Sequence, residues 1–375
     1  MNQSNAGRIN WVNMIFFTVV PIVATVGLIT YFSRNGFSWG PLILFFVSFV
    51  ISNMSITCGY HRYFSHRSYD ANPVVEWLYV FFGAGAFQGS IIRWCTDHRR
   101  HHREVDSDND PYSINKGFWF AHLGWILLHE DPKHEARGCV DLQKKKFVMF
   151  QDKYYFLLAS FVGFILPGLV AMAFGLGFWT GVLFGGALRV VVSNHTTFLI
   201  NSACHFFGNQ PYTDKNTARD NFILSVLTFG EGYHNFHHMF QADYRNGVRW
   251  YQWDPTKWWI RSLSFVGLTT KLKRVSKEEI MKARLRMDEQ ILLSKGACQE
   301  SVLALKQRVE EAQIKMRLMR AEYLNSRRSI ALQESAAKQI ADLKAKARVA
   351  NIEFRMARAQ WLAYVKAYRT VQVAA

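Results

Sequence analysis

Four apolar runs, Trp11 to Phe32, Pro41 to Tyr60, Tyr155 to about Gly175 and Phe178 to Ile200, each supply about the 20 residues that a helix needs to cross a hydrocarbon core. Inside lipid each backbone N–H and C=O must be satisfied within the segment, so such runs are helices. They form two hairpins, the first turning at Ser33-Arg34-Asn35-Gly36 and the second at Leu176-Gly177. The first run is long and lacks a small-x-small exit, so it is expected to remain as a span rather than to be cleaved. A fifth stretch, Val74 to Ile92, contains Glu76, Gln88 and three glycines, Gly83, Gly85 and Gly89. If it crossed, the histidines before and after it would lie on opposite faces of the membrane. It is therefore expected to lie in the interface or in the soluble part.

With four spans, the N-terminus, residues 61–154 and everything after Asn201 share one side. That side holds nearly all the Lys and Arg, whereas the opposite loops hold only Arg34, which predicts a cytoplasmic location for it. The expected fold is an all-α membrane protein, with four transmembrane helices capped by a cytoplasmic helical domain over residues 1–274 and a helical, coiled-coil-like extension over 275–375. The five cysteines are scattered without a C-x-x-C pair, which argues against a disulfide framework or a thiolate zinc site. From Lys271 onward there are 23 Lys and Arg against 11 Asp and Glu. Beside a membrane body, such a tail either meets anionic lipid rather than nucleic acid or is a solvated charged helix.

Three short clusters hold eight of the thirteen histidines: His61 with His66, His98 with His101 and His102, and His234 with His237 and His238. Each lies just beyond an apolar stretch. Neutral imidazole is the commonest protein ligand for first-row metals. The spacing i, i+3, i+4 puts His98, His101 and His102 on one helix face, and His234, His237 and His238 repeat it. His61 and His66 are about 140 degrees apart on an ideal helix. Either the helix ends between them or each serves a different ion. Asn201 and His205 form a further polar pair at the exit of the fourth run, whereas His122, His129, His134 and His195 are expected to be structural. So many imidazoles exceed the four ligands of a closed zinc shell and suit two open iron ions able to activate dioxygen. Asp106-x-Asp108-x-Asp110 looks like the start of a calcium loop, but Pro111 and Gly117 stand where its glycine and bidentate Glu are required. Asp97 and Glu231 flank the clusters and are expected to orient the imidazoles.

From about residue 10 to 274 the chain resembles the membrane-bound fatty acyl desaturases of the stearoyl-CoA (delta-9) type, in a bacterial-like form. The resemblance rests on Gly59-Tyr60-His61-Arg62-Tyr63-Phe64-Ser65-His66, Asp97-His98-Arg99-Arg100-His101-His102 with Asp108-Asn109-Asp110-Pro111, Asn201-Ser202-Ala203-Cys204-His205, and Gly230-Glu231-Gly232-Tyr233-His234-Asn235-Phe236-His237-His238. It implies a di-iron centre held by His61, His66, His98, His101, His102, His205, His234, His237 and His238, with Asn201 reaching one ion through water. It also implies dioxygen as co-substrate and a bent apolar tunnel for a saturated acyl chain, kinked at Trp94 and Thr197, with Phe49 and Asn53 at its deep end. The substrate would be an acyl-CoA or an acyl-lipid. At positions where animal acyl-CoA members carry basic residues this chain has Thr96, His129 and Glu130, while Gly117-Phe118-Trp119 and Asp243-Tyr244-Arg245-Asn246-Gly247 have a bacterial flavour. No His-Pro-Gly-Gly haem signature occurs, so electrons are expected from a separate ferredoxin, rubredoxin or cytochrome b5 with its reductase. Arg99, Arg100 and Lys144 to Lys146 could face such a donor. The expected location is the bacterial inner membrane, with the site and both termini cytoplasmic. Two alternatives remain at this level, a histidine-box lipid hydroxylase or ketolase and a non-catalytic scaffold with structural zinc.

Beyond residue 275, Val302, Leu305, Val309, Ala312, Met316, Met319 and Tyr323 recur three and four apart, as do Ile340, Leu343, Ala347, Ala350, Phe354, Ala357, Trp361 and Tyr364. Two long helices with a break near Asn325-Ser326 are expected.

Overall fold

Asn10 starts the first long helix by accepting a hydrogen bond from the Asn13 amide. In the computed structural model, which describes residues 7–129, 139–329 and 335–369, four helices are long and apolar enough to cross a membrane: Trp11–Asn35, Trp39–Ser65, Tyr155–Ala173 and Phe178–His205. The chain is thus an integral membrane protein of the all-α class, with almost no sheet among the described residues. Along the first helix Val12, Ile15, Val19, Ile22, Val26 and Ile29 are exposed at three- and four-residue spacing, a stripe suited to lipid rather than to a protein core.

The apolar stretch after the second span does not cross. It forms the short helix Pro73–Ala84, with Asn72 as its cap and Pro73 in its first turn, and then turns through Phe87 and Gly89, both at positive φ. Buried Gln151 fastens this region from the start of the third span's approach. It donates to the Val80 carbonyl at 3.2 Å and to the Tyr60 hydroxyl, and accepts the Ile91 amide at 2.9 Å. Asp70–Ala71 pairs antiparallel with Thr269–Thr270, with Asp70 opposite Thr270.

The second, third and fourth spans each depart from α-helical winding, with π-helical segments at Ser55–Ser65, Phe161–Ile165 and Val182–Leu188. At the end of the last of these, buried Arg189 donates to three backbone carbonyls, those of Gly185, Gly85 and Gly163. A buried guanidinium at membrane depth is tolerated only with its donors satisfied, and here the acceptors come from three separate stretches of chain.

Ser276 and Lys277 divide the chain into two units. Among the described residues the second contains three helices rather than the expected two, because Lys277–Ser294 precedes Gln299–Ser329 and Ser335–Arg369. Gly296, at positive φ, separates the first two. The helix continues unbroken through Asn325 and Ser326 to Ser329, since neither residue removes a backbone donor; the segment 330–334 lies outside the described residues. Leu285, Leu292, Val302, Val309, Ala357, Trp361 and Val365 form the core of this unit. Trp361 donates its indole N–H to Asp288 at 3.2 Å.

Candidate metal centre

Ser90 caps the helix Ile91–Glu104, accepting the Arg93 amide, and the last turns of that helix carry His98, His101 and His102 on one face. The short helix His234–Met239 carries His234, His237 and His238. The turn before it needs Gly232, because a Cβ there would lie 2.1 Å from the Ser225 amide nitrogen. His205 ends a single 3-10 turn, Ala203–His205, at the exit of the fourth span. For His61 and His66 the helix does end between them, at Ser65, and both fall on one ion's group. Ser55–Ser65 is π-helical, with hydrogen bonds joining residues five apart, and the His66 amide donates to the His61 carbonyl at 3.1 Å. The wider turn brings the two rings edge to face, with centroids 4.8 Å apart.

The nine imidazoles fall into two groups: His61, His66, His98, His102 and His237 in one, and His101, His205, His234 and His238 in the other, with the ligand atoms of each within 4.8 Å of one another. In the first group Nε2 of His237 lies 2.9 Å from Nε2 of both His61 and His102, and His66 Nε2 lies 2.8 Å from His98 Nε2. In the second, His234 Nε2 lies 3.1 Å from Nε2 of both His205 and His238, and His101 Nε2 lies 3.2 Å from His238 Nε2. Metal–imidazole bonds of about 2.1 Å place two nitrogens at right angles about 3.0 Å apart. Hydrogen bonding among the rings does not account for these contacts, because His237 Nε2 meets two other nitrogens and one N–H cannot serve both. Moreover, Glu231 takes the Nδ1–H of His61 at 2.9 Å and Asp110 takes that of His101 at 2.9 Å, which leaves lone pairs on their Nε2 atoms. Burial, followed by the crowding of neighbouring imidazoles, holds His66, His98, His102, His234, His237 and His238 well below their ordinary pKa, in the neutral form that binds metal. The residues therefore fit two metal ions.

A cavity of about 850 Å³, including its open mouth, abuts both groups: His61 and His98 line it from the first, His101 and His234 from the second. Gln88 ties its wall together, donating to Thr197 Oγ1 at 2.8 Å and accepting the Trp94 indole N–H at 3.3 Å.

Residues 37–264 match the protein family described as "Fatty acid desaturase". The chain belongs to the fatty acid desaturase family. It is 40% identical over 286 residues to a "Probable acyl-CoA desaturase" of Schizosaccharomyces pombe, covering 76% of this chain and 59% of that protein. It is 39% identical over 294 residues to "Acyl-CoA desaturase 1" of Saccharomyces cerevisiae, covering 77% and 57% respectively. It is also 34% identical over 279 residues to the "sn-1 stearoyl-lipid 9-desaturase" of Anabaena variabilis, covering 74% of this chain and 98% of the relative. The chain thus spans under two thirds of the length of the two fungal proteins.

Within this desaturase-family site, Trp94, Thr197, Asn53 and Asn201 all line the cavity. Asn201 is set in the last turn of the fourth span's helix. Asn53 donates to the Phe49 carbonyl at 2.9 Å and to Ser193 Oγ at 3.0 Å. Phe49 is not in the cavity wall and stacks near Phe45 and Phe229. His122 bonds Ser202 and His195 and stands apart from both groups. Thr96 is buried, His129 is exposed, and Glu130 and His134 lie outside the described residues.

Asp97 faces Arg100 at 3.5 Å, and the acid that receives an imidazole N–H from its helix is Asp110. Asp97 directly precedes His98 and so points about 100 degrees away from it. The acids of the Asp106-x-Asp108-x-Asp110 run were legible, but not their target. Burial alone would raise the Asp110 carboxyl, yet His101 and the amides of Asp106 and Tyr112 outweigh it and hold it below its ordinary value. Glu231 is likewise held low against its burial, by Arg62 and His61. Replacing Glu231 with Gln removes the charge that faces the His61 Nδ1–H. Metal binding is expected to weaken about 10- to 100-fold, read by competition with a chelator. Unchanged affinity would remove Glu231 from this role.

Proposed function

We propose that this chain is a fatty acyl desaturase that introduces a cis double bond, delta-9, into a saturated acyl chain at a histidine-held pair of iron ions. The observation that carries the reading is the meeting of two converging imidazole groups with one largely apolar cavity. When bound, the iron pair supplies activation of dioxygen and removal of two hydrogens from neighbouring methylenes. Each double bond consumes one dioxygen, two electrons and two protons and releases two waters.

An unactivated methylene offers no charge to recognise, so the residues of the wall must select it by distance and shape. Trp94, Gln88 and Thr197 form a hydrogen-bonded brace across the wall beside His98, and this favours a fixed bend in the bound chain. The relatives include proteins named for acyl-CoA and for stearoyl-lipid, and both carriers belong to the proposal. Electrons come from a separate donor of ferredoxin, rubredoxin or cytochrome b5 type with its reductase. Positive charge on the site's side of the spans favours its cytoplasmic placement, and the membrane belongs to the proposal as a bacterial inner membrane.

Expression in a host that makes no unsaturated fatty acids tests the chemistry, position and carrier together. The expected result is restored growth, with delta-9 cis products two mass units below the saturated chain, and the lipid class that carries them first identifies the carrier. Products heavier by one oxygen, or none from iron-loaded protein, would refute the reading.

A further inference from the structure

We propose that Asp106 and Thr217 form a positioning pair for His205, fixing which of its ring nitrogens faces the metal; this rests on the metal-centre reading above. His205 is supplied from the end of the fourth span, apart from the two histidine helices. Its Nδ1 lies 2.8 Å from Thr217 Oγ1 and 3.9 Å from Asp106 Oδ1. Thr217 Oγ1 in turn lies 2.7 Å from Asp106 Oδ1, and the Thr217 amide donates to Asp106 Oδ2 at 2.7 Å.

The direction of this chain follows from the donor inventory. An ionised carboxylate only accepts, so the single hydroxyl proton of Thr217 points to Asp106. The hydroxyl oxygen is then left to accept, and it takes the Nδ1–H of His205. The neutral ring must present its lone pair at Nε2, the nitrogen that lies 3.1 Å from His234 Nε2 in the four-histidine group. An acid at one end of the relay dictates the tautomer at the other.

The loop that carries the acid is built for this placement. Asp106 has φ of 65 degrees, a left-handed conformation that Asp and Asn tolerate better than other side chains. Its amide donates to Asp110 Oδ2 at 3.0 Å, while the two carboxylate oxygens of Asp110 lie 2.9 and 3.0 Å from His101 Nδ1. One loop therefore orients two of the four ligands, His101 directly and His205 through Thr217. The segment that carries Thr217 is tied back to the third cluster. Asn235, next to His234, donates to the carbonyls of Thr213 at 2.7 Å and Ala218 at 2.9 Å.

The test uses the full chain, purified in detergent and loaded with iron. Iron per chain and the rate of iron release to a chelator are measured, together with the thermal melting of the metal-free protein. Thr217→Val keeps the side chain's shape and removes the hydroxyl. The wild type is expected to hold two irons. The Val variant should melt unchanged without metal but release one iron about 10- to 100-fold faster, and Thr217→Ser should restore slow release. Asp106→Asn keeps the backbone but lets the amide donate, so it should speed release in the same direction, and it decides the case if the Val variant fails to fold. Release of both irons at the wild-type rate from Thr217→Val, or from Asp106→Asn in that event, would overturn the proposal, as would a Ser variant that behaves like Val. A wild type that holds fewer than two irons would instead refute the metal-centre reading itself.

Discussion

Replacing His237 with Ala is expected to strip one iron from the chain and to lower product formation by more than about a hundredfold. His237 Nε2 touches Nε2 of both His61 and His102, so its loss opens a gap between two other ligands of the five-histidine group. Removing a partner that merely orients a ligand already costs about 10- to 100-fold in metal affinity or activity, which sets a lower bound for removing a ligand. Iron per chain, read by elemental mass spectrometry beside turnover in the same preparation, checks the result. His122→Ala is the matched control, because that ring bonds Ser202 and His195 away from both groups and its loss should leave two irons. Two irons in the His237 variant would mean that the converging rings are not the ligand set.

The second large effect is on stability. Arg189→Met keeps much of the side chain's length but leaves the carbonyls of Gly85 and Gly163 without the guanidinium that served them. The Gly185 carbonyl lies one helical turn away in the same helix and is the least exposed to the loss. A buried acceptor left unsatisfied costs about 1–3 kcal/mol, so two of them cost about 2–6 kcal/mol. The variant is expected to melt earlier in detergent and to yield less monodisperse protein. Arg189→Lys should fall between the two, since one ammonium cannot span the three acceptors that a forked guanidinium reaches. An unchanged melting curve for the Met variant would show that these three contacts do not hold the spans together.

Much of the architecture was legible because it is written in local periods. Four apolar runs of spanning length mark four helices, and the need to keep the histidines before and after 74–92 on one side marks a segment that does not cross. The spacing i, i+3, i+4 puts His98, His101 and His102 on one face. What was not legible depends on partners far along the chain. Asp110 takes up His101, Thr217 takes up His205, and Gln88 links Trp94 to Thr197, and none of these pairings leaves a period in the sequence. Asp97 adjoins His98 in sequence yet faces Arg100 at 3.5 Å, because neighbours on a helix diverge by about 100 degrees. In the tail, the stripes of the two longer helices were visible, whereas the helix Lys277–Ser294 lies before them and shares their core through Leu285 and Leu292.

The widened winding at Ser55–Ser65 makes the site depend on the number of residues as well as on their kind. A π turn holds one more residue than an α turn, so His61 and His66, five apart, share one side only while this winding is kept. Arg62, which grips Glu231 and Asp254, lies in the same winding. A return of this stretch to α winding would therefore part the two rings and disturb the grip of Arg62 on its acids together.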